Sequence, residues 1–170
     1  MASTELSDLG SSGEADIAVR LSRNPPDYLL GNRVAQVAYA VYAAKEYLKT
    51  CPALADKGAQ LLALSGDRMR AQITSIQAAY PTVRMGPEFS GWSAIESFVE
   101  NQGGFGILPC FVGDMNPHLQ RVPFTLPESG LYMWVLSHPD YRNSARIQVF
   151  KKFLAMKFLQ NKPLIEGCIA

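Results

Sequence analysis

The chain has 170 residues, of which 48% are apolar and 18% charged, and its formal net charge is +1 at pH 7. That balance fits one soluble domain with a sizeable core. It excludes a protein that grips nucleic acid along a basic face, and no apolar run is long enough to span a bilayer.

The first residues, MASTELSDLGSSGEAD, have neither a basic start nor an apolar centre, so they do not read as a secretory signal. Ala15–Leu21 is a compact β-type run. Pro25-Pro26 marks a loop. The stretch 29–44, LLGNRVAQVAYAVYAA, is the most apolar of the chain. Periodicity alone leaves a buried helix open, but its valines, tyrosines and Gly31 favour a strand covered on both faces. A short helix is expected over 46–49, ended before Cys51-Pro52. Gln60–Leu64 reads as a short strand. Met69, Ile73, Ile76 and Tyr80 then form a helical stripe with Asp67 as its expected N-cap. A strand follows over 82–85 and a Pro-containing turn over 86–91. Trp92, Ile95, Phe98 and Val99 mark the next helix, which Gly103-Gly104 terminate. Phe105–Leu108 is a strand stopped by Pro109, and a polar link leads to a further strand over 131–136. The closing helix starts near Asn143 with Ile147, Phe150, Leu154 and Phe158 on one face, and a loose tail is expected from Pro163. Strand, helix, strand, helix, strand after residue 60 argues for parallel strands with crossover helices, hence an α/β fold.

Three cysteines, Cys51, Cys110 and Cys168, form no CxxC pair. An odd count without paired spacing argues against a disulfide framework and against structural zinc. Each is expected to be a small apolar side chain in a reducing compartment, which points to the cytoplasm.

Several phrases are more specific than their composition. Leu9 is followed by Gly13-Glu14-Ala15-Asp16-Ile17-Ala18-Val19-Arg20. Tyr39–Leu48 reads YAVYAAKEYL. Gly-Ile-Leu-Pro-Cys at 106–110, Gly113-Asp114 and Pro117-His118-Leu119 precede Trp-Val-Leu-Ser-His-Pro-Asp at 134–140 and Ser-Ala-Arg-Ile at 144–147. Together these resemble the effector-binding domain of LysR-type bacterial transcription regulators. The resemblance implies a two-lobed α/β fold like type II periplasmic binding proteins, with one lobe over 1–38 plus 137–170 and the other over 39–136. It also implies a small-molecule effector, expected to be a carboxylate, held between the lobes. Two departures stand out. Ala44-Lys45 replace the usual Ser-Pro, and Gln102 stands where the family has the first glycine of a Gly-x-Gly pair, so that Gly103 serves instead with a one-residue shift. The helix-turn-helix and the first part of lobe one have no counterpart in these residues, so the fold is expected to be N-terminally truncated. DNA would then be reached only through a domain absent from this sequence. An uncovered sheet edge would invite pairing with a second copy, so a homo-oligomer is expected.

Arg20 ends a strand before a loop, the ligand side of open α/β folds, and its planar guanidinium suits a carboxylate. The plain alternative is a surface pair with Asp16 or Glu14. Ser22 follows it, and Ser3 and Thr4 are expected at a neighbouring strand end as small hydroxyl ligands, against the alternative of a frayed terminus. Ser90, Gly91 and Trp92 open a helix whose free amides favour an anion, with Ser90 also a possible cap; Trp92 also reads as core. His118 and His138 lack companions for a metal site. Phe89–Ser93 is not a nucleophile elbow, and 103–106 is not a phosphate loop. No catalytic residue and no cofactor is expected. The alternative function is a stand-alone solute-binding module that works without DNA.

Overall fold

The computed structural model describes residues 16–168. The chain divides into two compact units: residues up to Val37 together with those from Gly130 onward, and the intervening Ala38–Ser129.

The first unit is built on three antiparallel strands, β1 (Ile17–Ser22), β2 (Leu30–Gln36) and β8 (Tyr132–Ser137), in the order β1-β8-β2. The middle strand buries Met133, Val135, Leu136 and Ser137. Gly31 is a matter of space, since a Cβ there would collide with the Val135 carbonyl opposite. The long helix α4 (Ala145–Gln160) packs on β2 and β8, followed by the single turn α5 (Lys162–Ile165). Ile147 is the helix's one fully buried side chain among the described residues; Leu154 and Phe158 are half-buried, and Phe150 is exposed. The expected stripe is therefore narrower than its spacing implies. From Pro163 to Cys168 the expected loose tail is ordered instead, because Ile165 is buried under β2.

The second unit is a five-stranded sheet in the order β5-β4-β6-β3-β7. Its strands are β3 (Tyr39–Ala44), β4 (Gln60–Leu64), β5 (Arg84–Phe89), β6 (Phe105–Pro109) and β7 (Leu119–Arg121). The expected parallel block is present, with β4 parallel to both β5 and β6, while β3 runs antiparallel to β6 and β7. Helices α1 (Arg70–Ala79) and α2 (Trp92–Glu100) connect the parallel strands, and the short α3 (Cys110–Gly113) follows β6. The backbone of Gly106 allows α2 to sit close on β6: a Cβ there would lie 2.5 Å from a Val99 methyl.

Four expectations change. The apolar stretch 29–44 is two strands, β2 and β3, one in each unit. Strand β5 runs on through Gly86-Pro87 where a turn was expected; β5 is an edge strand, where a missing amide hydrogen breaks no inner ladder. Asp67 is not the cap of α1. It opens a single 3-10 turn, and its carboxylate pairs with Arg70. The Gly-x-Gly departure resolves without a shift: Gln102 itself has φ 64°, the left-handed conformation that glycine favours, and ends α2 there.

Candidate functional site

Helix α2 begins one residue later than the serine signal implied. Gly91, in extended conformation, is its N-cap, Ser90 lies one position outside, and no side chain caps the first turn. A missing cap leaves helix-end N–H groups without an intrahelical or side-chain acceptor, where the dipole is positive. A Cβ on Gly91 would meet nothing within 4 Å, so the backbone here borders open space.

Trp92 opens the helix, and its ring lies 6.1 Å from the Tyr39 ring, tilted by 40°. Tyr39 is the first residue of β3 and is 9% exposed. The Tyr39 hydroxyl and the Trp92 indole N–H are both buried and have no hydrogen-bond partner among the described residues. Each such group costs on the order of 1–3 kcal/mol when it is left unsatisfied. Burial pushes the Tyr39 phenol well above its usual range, with the Arg68 guanidinium opposing and Cys110 adding to the rise. The phenol is therefore a neutral donor at any ordinary pH. Two neutral donors beside a helix N-terminus, with an arginine nearby, can receive an oxygen-rich or anionic group. Tyr39 and Arg68 escaped the sequence reading. The signal was a tyrosine inside a wholly apolar run, whose hydroxyl needs a partner when buried.

In the first unit Arg20 and Ser22 lie two apart on β1 and so share a face. Arg20 is opposite Trp134 of β8, and Trp134 is in turn opposite Arg33 of β2, which puts two guanidinium-bearing positions on either side of one indole. The Arg33 guanidinium sits 4.5 Å over the Tyr132 ring. The Trp134 indole N–H donates to the Ser22 carbonyl at 3.1 Å. The Ser22 hydroxyl donates to the Asn24 carbonyl at 2.8 Å and so shapes the following turn. Asp16, the weighed partner of Arg20, lies 3.7 Å from Arg146. Ser3 and Thr4 lie outside the described residues.

Two other polar clusters hold the fold together. The Asp114 carboxylate accepts from the Tyr42 hydroxyl at 2.8 Å and from two Arg121 nitrogens at 2.7 and 2.5 Å, tying β3 and β7 to the end of α3. Burial and then Asp114 raise the Tyr42 phenol; the Asp114 bond raises Arg121. His138 caps the 3-10 turn Pro139–Tyr141, its Nδ1 accepting from the Asp140 amide at 3.4 Å. Cys51 and Cys110 are buried, as small apolar side chains should be, but Cys168 is exposed. Among the described residues no cluster of three or more His, Cys, Asp or Glu could hold a metal, and no helix is long and apolar enough to cross a membrane.

With that geometry in hand, the chain matches the family model described as the LysR substrate binding domain over residues 1–158. The chain belongs to that family. No curated protein matches it. It is similar in structure to the regulatory domain of CrgA, a LysR-type transcriptional regulator from Neisseria meningitidis. There the identity is 19% and the TM-score 0.68, over 86% of this chain and 76% of that one. It is similar to the effector domain of AmpR from Pseudomonas aeruginosa, with 13% identity and a TM-score of 0.63 over 86% and 73%. It is also similar to the CcmR regulatory domain of Synechocystis PCC6803 in complex with 2-PG, with 15% identity and a TM-score of 0.58 over 86% and 74%. At these identities the likeness is one of fold, the periplasmic-binding-protein-like α/β fold of LysR regulatory domains. Family membership makes the chain a ligand-binding module of the transcription-regulator type.

Proposed function

We propose that this module binds a small carboxylate-bearing metabolite, and that binding biases how an intact LysR-type regulator engages its promoter. The ligand's anionic end is taken up by the α2 amides with Ser90, Gly91 and Trp92, and by Arg20 with Ser22. Ser3 and Thr4 join them. The module itself carries out no chemistry and uses no cofactor. It acts in the cytoplasm as part of a homo-oligomer, and DNA is contacted only through a helix-turn-helix domain that these residues do not contain.

The observation that carries this reading is the pair of orphaned donors, the Tyr39 hydroxyl and the Trp92 indole N–H, beside the uncapped start of α2. Buried donors without acceptors are rare in native folds and mark places where something else supplies the acceptor.

The test is a thermal-shift screen against mono- and dicarboxylates followed by calorimetry on the hits, since a ligand that binds only the folded state raises the melting temperature. Arg20→Ala should weaken a carboxylate hit by roughly 1.5–3 kcal/mol, the scale of a charged hydrogen bond. Trp92→Phe, which keeps the ring packing and removes the N–H, should weaken it by about 1 kcal/mol. Wild-type affinity in both variants would remove these residues from the site. A screen in which only uncharged molecules bind would overturn the anionic effector.

A further inference from the structure

Helix α4 carries a lysine where its packing calls for an apolar residue. Lys151 lies four residues after Ile147 and three before Leu154, in the middle of the inward stripe. Its amine donates to the Leu30 carbonyl and to the hydroxyl of Ser137, each at 2.8 Å. Ser137 is itself buried, at 2% exposure. Among the described residues no carboxylate pairs with this amine. An ammonium group has three donors, and two neutral acceptors account for two of them. Burial accordingly lowers the Lys151 pKa, with no charged partner opposing the shift.

Lys151 also lines a cavity of about 180 Å³ between α4 and the β2–β8 ladder, together with Asn32, Gln148 and Lys152. Val135 and Ala155 supply its apolar wall. No acidic residue lines it among the described residues. Gln148 keeps one amide N–H on the Tyr141 carbonyl at 3.3 Å. The polar lining is thus two cationic side chains and two carboxamides, all able to donate. Organic ligands of drug size occupy pockets of about 300–1,000 Å³, so an occupant here has only a few heavy atoms.

We propose that this cavity is a second anion site, distinct from the effector site, that takes a small oxyanion such as a carboxylate or phosphate on the ammonium of Lys151. The anion receives the third Lys151 proton and a bond from Lys152, while Asn32 and Gln148 fix its orientation. Occupancy supplies the counter-charge that the half-buried amine lacks and links α4 to β2 and β8 more firmly.

The experiment is nuclear magnetic resonance on full-length protein carrying lysine labelled with carbon-13 at the ε position. The Lys151 signal is assigned by its loss in Lys151→Arg, which keeps the charge. Acetate and inorganic phosphate are titrated separately at ionic strength held constant with chloride. The Lys151 and Lys152 signals should move saturably with at least one of the two anions, while that of Lys49, an exposed lysine paired with Glu46, stays in place. Saturation with acetate alone assigns a carboxylate, and with phosphate alone a phosphate. Gln148→Glu, which places a negative charge in the cavity, should weaken binding by tenfold or more. A Lys151 signal that follows Lys49 through both titrations, or an unchanged affinity in Gln148→Glu, overturns the site. The readout is local to the first unit, so it stands whether or not the effector reading at α2 holds.

Discussion

In Ala38–Ser129 the strand β6 is buried along its whole length, and Leu61, Ile76, Ile95, Val99 and Phe105 are closed to solvent altogether. In the other unit the best-buried side chains are Val37, Val135 and Leu136, while Val19, Val149, Phe150, Phe153, Met156 and Leu159 all stand in solvent. The difference follows from sheet order. In the second unit β4, β6 and β3 each have neighbours on both sides, whereas in the first only β8 does. In the first unit α4 covers β2 and β8 but leaves Val19 of β1 outside. Its own residues are apolar on both faces, Ile147 and Leu154 inward and Val149, Phe153 and Met156 outward. Contiguous exposed apolar surface of this kind marks association. The five-stranded unit is therefore the self-sufficient one, and the three-stranded unit leaves apolar surface for another surface to cover.

The strongest way to break this contrast is to cut matched holes in the two cores. Ile107→Ala, on the fully buried β6, should fall near the upper end of the range for its kind, about 4–5 kcal/mol, because the site is enclosed and collapses poorly. Ile147→Ala, at a helix with solvent on its far side, should fall near the low end of the range for its kind, about 2 kcal/mol. Urea denaturation measures both. Equal losses would mean that the first unit is packed as tightly as the second. A smaller effect is expected at the polar tie of the second unit. Asp114→Asn keeps the shape but removes the charge that holds Arg121 and the Tyr42 hydroxyl, and should cost roughly 1.5–3 kcal/mol. A loss below about 0.5 kcal/mol, the usual range for surface substitutions, would demote that cluster to decoration.

The sequence makes the second unit more legible for the same reason. Buried parallel strands are short apolar runs, so Gln60–Leu64 and Phe105–Pro109 stand out, and stripes at three- and four-residue steps locate α1 and α2. Three features escape that logic. Val37 and Ala38 are as apolar as their neighbours, so nothing in 29–44 marks the passage from one unit to the other. Leu119–Arg121 is too short to show any period. Pro87 reads as a turn, although an edge strand tolerates it. The candidate site was half visible. Ser90-Gly91-Trp92 signals a helix start, but a hydroxyl residue draws the cap one position too early, and Gly91 takes it. Tyr39 is brought to Trp92, and Arg68 within electrostatic reach of Tyr39, by tertiary packing that no local pattern records.

The smallest expected effect sharpens the contrast inside the well-packed unit. Gln102 has φ 64°, and for a residue with a Cβ this conformation is disfavoured. It is held there by its surroundings. The Gln102 amide donates to the Val99 carbonyl at 3.0 Å and the Gly103 amide to Phe98 at 2.9 Å, a left-handed helix ending. Gly103 cannot take over the role with a side chain of its own, since a Cβ there would run into the Phe98 ring. The packing of α2 on β6 is thus strong enough to impose a glycine conformation on a glutamine. Gln102→Gly removes the steric cost but adds freedom to the unfolded chain. The first term should win, raising stability by roughly 0.5–1 kcal/mol. A thermal melt that shifts downward instead would show that the glutamine side chain contributes contacts worth more than the strain it imposes.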